Sequence, residues 1–75
     1  MPKREPVLVA LGDAVRQKRE ERGLTQEVLA EIAALDRTYI SDIERGIRNP
    51  GFKNVARLAQ ALGVTLSELC QGIKS

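Results

Sequence analysis

A chain of 75 residues has room for one small domain and little for a substrate cavity, because folding at this size removes only about 60% of the unfolded surface from water. Apolar residues make up 43% and charged residues 29%, a globular composition; with no histidine and one cysteine, histidine–cysteine zinc sites, disulfide frameworks and histidine-activated nucleophiles are excluded. The net charge of +2 is unevenly spread, with six Lys or Arg against four Asp or Glu in residues 1–24, two against five in 25–46 and four against one in 47–75, so basic flanks that permit nucleic-acid binding surround an acidic centre.

Residues 1–6 read as a polar arm held extended by Pro2 and Pro6, ahead of a domain over residues 7–75. The arm lacks the apolar core of a secretion signal and no apolar run reaches the ~18 residues of a membrane span, so a cytoplasmic chain with a reduced thiol and no membrane partner is expected. A first helix is expected from Val7 to Arg22, where Leu8, Leu11 and Val15 recur at helical steps. Gly23, Gly46 and Gly63 each follow a periodic segment, where a residue without a Cβ closes a helix. Thr25 caps a second helix, Gln26 to Ala33, whose Val28, Leu29, Ile32 and Ala33 make a broad apolar face. After a short turn, Asp36 caps a third, Arg37 to Arg45, and two short helices so joined outline a helix-turn-helix. A fourth runs from Phe52 to Leu62 with Phe52, Val55, Leu58, Ala59 and Leu62 on one face, and Thr65 with Glu68 forms a capping box for a short fifth. With no alternating run and no hairpin turn, the fold class is all-α, a compact five-helix domain.

Projected at 100° per residue, the third helix has two faces. Tyr39, Ile40, Ile43 and Ile47 fall in one arc, and Arg37, Thr38, Ser41, Asp42 and Arg45 in the opposite one. An apolar back with a short hydrogen-bonding front suits a major groove, although any surface helix has a polar side. Arg19 shares the stripe of Leu8, Leu11 and Val15, where an unpaired cation is costly; it needs a partner, with Glu44 at the edge of the third helix's apolar arc, or it snorkels to solvent along its methylenes.

The string Gly23-Leu24-Thr25-Gln26-Glu27, Leu29-Ala30, Leu35 to Gly46, Arg48-Asn49-Pro50 and Ala59 to Val64 resembles the Cro and phage-repressor helix-turn-helix family, also called XRE. The resemblance covers about Leu11 to Leu69, and Leu35 to Glu44 looks most like the small controller proteins of restriction–modification systems. It implies a five-helix DNA-binding domain, commonly dimeric, with its third helix in the major groove. Gln26 would bond a DNA phosphate at the positive end of the second helix, while Arg37, Thr38, Ser41 and Asp42 would face the bases. Arg37 is the best guanine reader; Asp42 would accept from a cytosine amine, orient Arg45 or Arg37, or act against wrong sequences. Arg45, Arg48, Asn49 and Lys53 would grip the backbone, and Arg19 and Glu44 would form the family's ion pair. This chain departs in having Ala34 where the family often has glycine in the turn, and Cys70, read as a small packed hydrophobe, where it often has a larger apolar residue.

The function expected is sequence-specific binding of double-stranded DNA by a homodimer that regulates transcription, with Leu66, Leu69, Cys70 and Ile73 as the dimer surface. A protein-interaction module, such as an antitoxin or antirepressor partner, is the alternative. No enzyme activity, metal, other cofactor or small-molecule ligand is expected.

Overall fold

The computed structural model describes residues 5–73 as five helices, α1 (Pro6–Glu21), α2 (Gln26–Ala33), α3 (Arg37–Glu44), α4 (Phe52–Leu62) and α5 (Leu66–Cys70), with no strand among the described residues. Of the expected arm, residues 1–4 lie outside this range. Pro6, expected in the arm, instead opens α1: a first-turn N–H has no acceptor within the helix, so proline gives up no bond there and its fixed φ already suits the turn. The first and third helices end one residue earlier than expected, at Glu21 and Glu44, with Arg22 and Arg45 as C-caps.

Side-chain caps start three of the helices. The Thr25 hydroxyl accepts from the Val28 N–H at 3.1 Å, and the Asp36 carboxylate accepts from the Thr38 N–H at 2.8 Å. Thr65 and Glu68 close a reciprocal box with bonds of 2.9 and 3.0 Å. The Thr65 N–H, and then its side chain, hold the Glu68 carboxyl below its ordinary range.

The core is aliphatic: Leu11 and Val15 of α1, Leu29, Ala30 and Ala33 of α2, Ile40 and Ile43 of α3, Leu58, Ala59 and Leu62 of α4, and Leu69 of α5. α3 packs against α1 and α2, α2 also meets α4, and α5 leans on α1 and α4. Gly12 lets α1 and α3 come together, because a Cβ there would stand 2.8 Å from the Glu44 carbonyl oxygen and collide with that of Ile43. The turn between α2 and α3 keeps the left-handed geometry without a glycine. Ala34 sits at φ 57, ψ 43, and the Leu35 N–H donates to the Ala30 carbonyl oxygen at 2.9 Å.

Five apolar assignments change. Val28 and Ile32, placed on the apolar face of the second helix, are 39% and 56% exposed, and of that face only Leu29 and Ala33 enter the core. Ile47, placed with the buried arc of the third helix, is 51% exposed, because α3 ends at Glu44 and the turn at Gly46 leads the chain off the helical path. Phe52, placed on the inner face of the fourth helix, is 77% exposed: it is the first residue of α4 and overhangs the core's edge. Leu69, expected at a dimer surface, is 2% exposed and belongs to the chain's own core, so it offers nothing to a second copy.

Candidate nucleic-acid interface

The start of α2 and the outward face of α3 are held together by one carboxylate. Glu44, 9% exposed, accepts from Arg19 Nε at 2.7 Å on Oε2 and from an Arg19 terminal nitrogen at 3.1 Å on Oε1. Gln26 Nε2 donates to the same Oε1 at 3.0 Å, and the other Arg19 terminal nitrogen donates to the Leu24 carbonyl oxygen at 2.7 Å. Arg19 therefore does not snorkel. A bidentate, largely desolvated pair ties α1 to α3, and the Glu44 hydrogen bond holds the guanidinium above its ordinary pKa against the opposing effect of burial. Gln26, expected against a DNA phosphate, gives one amide hydrogen to Glu44 and keeps a second. With Thr25 occupied by Val28, the backbone N–H groups of Gln26 and Glu27 have no partner among the described residues, which leaves donors at the positive end of α2.

Along α3, Arg37 and Thr38 are exposed, Ser41 and Asp42 are half-buried, and Arg45 is exposed. Asp42 Oδ1 accepts from Arg45 at 3.2 Å, so of its two candidate arginine partners the carboxylate meets Arg45 and not Arg37. Beyond α3, the Arg48 guanidinium lies over the Tyr39 ring, 4.6 Å from its centroid, and Asn54 Nδ2 donates to the Tyr39 hydroxyl at 3.0 Å. Arg48 is thereby held beside the end of α3. Lys53 is exposed, and Asn49 is exposed at the mouth of a neighbouring apolar groove.

Two contributors escaped the sequence. Arg16 lines one concavity with Arg19, Gln26, Glu44 and Arg45, its charge shared with Glu20 at 3.4 Å. Its position one turn before Arg19 was the only available signal. Tyr39 was assigned to the apolar arc by its ring, while its hydroxyl and the stacked Arg48 depend on a turn whose path periodicity does not report.

The same geometry has known counterparts. A family model described as Helix-turn-helix matches residues 15–69, from the middle of α1 into α5. The chain belongs to the helix-turn-helix family. It is 39% identical over 69 residues to the control protein C.MunI of a Mycoplasma species, covering 91% of this chain and 93% of that one. Another relative, the HTH-type transcriptional regulator DdrOP3 of Deinococcus deserti, is 36% identical over 64 residues, and this chain spans only 50% of its length. Among solved structures, the restriction-modification controller protein C.AhdI from Aeromonas hydrophila is 44% identical with a TM-score of 0.81, over 83% of this chain and 94% of that one. The controller protein C.Esp1396I, solved as a tetramer with its natural 35 base-pair operator, is 36% identical with a TM-score of 0.84, over 89% and 88%. In this helix-turn-helix, α2 and α3 are the paired helices, Ala34 stands in the turn, and Arg19, Glu44 and Gln26 lock the pair onto α1. No described helix is long and apolar enough to cross a membrane, and no described acidic or cysteine cluster has the makings of a metal site.

Proposed function

We propose that the chain binds double-stranded DNA sequence-specifically as a homodimer and regulates transcription, with α3 in the major groove and the start of α2 on the phosphate backbone. The observation that carries this reading is the Glu44 carboxylate, which fixes Gln26 at the head of α2 relative to α3 before any DNA is present. Arg37, Thr38, Ser41 and Asp42 face the bases; Gln26, Arg45, Arg48, Asn49, Lys53 and Arg16 supply backbone contacts. The control proteins among its relatives favour a finer assignment, control of restriction–modification genes.

The surface for a second copy is a groove of about 710 Å³ between the starts of α1 and α4 and the face of α5, lined by Val7, Leu8, Phe52, Leu66, Cys70 and Ile73. An aromatic residue 77% exposed over such a groove suits an isologous contact, in which each Phe52 enters the other chain. The groove replaces the surface expected from sequence by losing Leu69 and gaining the ends of α1 and α4.

The experiment is titration of duplexes enriched by the chain from a random pool, and of unselected duplexes, across salt concentrations. Affinity for the enriched sequence should exceed the unselected one by a factor on the order of 10³ or more, with log affinity falling linearly in log salt. Equal affinity for both sequences, or no duplex binding, would rule out the reading.

A further inference from the structure

Asp42 is the one acid among the residues that α3 turns outward with Arg37, Thr38, Ser41 and Arg45. Its side chain is 25% exposed, and Oδ1 is held by Arg45, whose own side chain is 60% exposed. Oδ2 has no partner among the described residues. The carboxylate is therefore aimed by Arg45 with one oxygen open. A surface pair of this kind contributes little, so it exchanges readily when a better donor arrives.

Laid in a major groove, that open oxygen stands between two rows of phosphates. The donors that base edges present there are the exocyclic amines of cytosine and adenine, whereas guanine and thymine present acceptors. The adenine amine lies between two acceptors, its own N7 and thymine O4, which repel a carboxylate from both sides; the cytosine amine has guanine O6 on one side and only a C–H on the other. We propose that Asp42 is a specificity-determining residue: its free oxygen accepts from a cytosine amine in the operator, and at sites lacking that amine the oxygen stays unsatisfied in the groove while Oδ1 keeps Arg45 from the phosphates. The proposal rests on the DNA-binding reading above and names one base that reading leaves open.

The full chain, with Asp42→Asn and Asp42→Ala, is titrated at matched salt against the duplex enriched by the unsubstituted chain, its single base-pair variants and an unselected duplex. Both substitutions should tighten binding to the unselected duplex about tenfold and leave the enriched duplex unchanged or weaker; Ala should abolish the preference for cytosine at one symmetry-related base pair, and Asn, whose amide matches the amine and N7 of adenine, should move it from cytosine towards adenine. Thermal melting of each variant accompanies the titrations. The nearly isosteric Asn carries the test if Ala lowers the melting temperature. Equal tightening on both duplexes would reveal a repulsive charge that reads nothing, and equal weakening or no change would reveal a residue of the helix alone; either overturns the proposal. If the unsubstituted chain enriches no duplex, the DNA-binding reading fails with it, an outcome distinct from an enriched site whose bases Asp42 does not affect.

Discussion

Ala34 holds a left-handed conformation that an L-residue with a Cβ enters at a cost of about 1–2 kcal/mol. Ala34→Gly removes that cost and returns part of it as unfolded-chain entropy, so a gain of about 0.5–1 kcal/mol is expected in denaturant unfolding. Arg19→Met should cost about 3 kcal/mol, because it leaves Glu44, whose side chain is 4% exposed, buried without its cation. Replacing both residues with apolar ones should cost much less, and additive losses in a double-mutant cycle would refute the coupling. Glu68 acts through pH. Its carboxyl is held below the ordinary value of 4.5 by Thr65, so its contribution is complete above that value and disappears as the pH falls through the lower folded-state value. The difference in melting temperature between the protein and Glu68→Gln should therefore narrow from pH 7 towards pH 3, whereas a constant gap would assign the effect to the neutral cap.

At the scale of elements, α1 and α3 approach through Gly12, and substitution there distinguishes packing from propensity. Alanine in a helix interior ordinarily gains about 1 kcal/mol over glycine; here Gly12→Ala should instead destabilise by about 1–3 kcal/mol, because its Cβ meets backbone carbonyls that have nowhere to move. Helix count, order and caps were legible because each is written locally: apolar steps of three and four, Thr25, Asp36 and Thr65 ahead of them, glycines behind three of them. What periodicity could not report was where a helix stops relative to its own apolar stripe. Ile47 continues the spacing of α3 but lies past its end, and Phe52 matches the spacing of α4 but precedes the point where that helix meets the core. Gly12 gave no sign, since a glycine inside a helix has the same spacing whether or not a neighbour presses on it.

The two faces proposed for DNA and for a second copy differed in legibility. The α3 side chains could be named from the sequence because the helix-turn-helix spacing orders them. The bonds that aim them could not, as Gln26 and Glu44, or Tyr39 and Asn54, are brought together only by the fold. The apolar groove was legible in part: Leu66, Cys70 and Ile73 were named from the sequence, while the starts of α1 and α4 that complete it are brought beside them only by the fold. Phe52→Asp should leave the melting temperature nearly unchanged, since the ring is mostly in water, yet convert a dimer to a monomer at tens of micromolar in light scattering. In the dimer, half-sites should lie about one helical turn, ~34 Å, apart.

Arg37→Ala separates base reading by α3 from backbone holding by the residues around it. Titrated over several salt concentrations, this substitution should weaken binding to the enriched duplex by about 1–3 kcal/mol, barely affect unselected duplex, and relax the choice at one symmetry-related base pair. Arg48→Ala, measured alongside, should weaken both duplexes alike and flatten the slope of log affinity against log salt by about one unit for each phosphate left without its arginine. If Arg37→Ala weakens enriched and unselected DNA equally with the base preference intact, Arg37 is a backbone contact and the outward face of α3 is not the reading face.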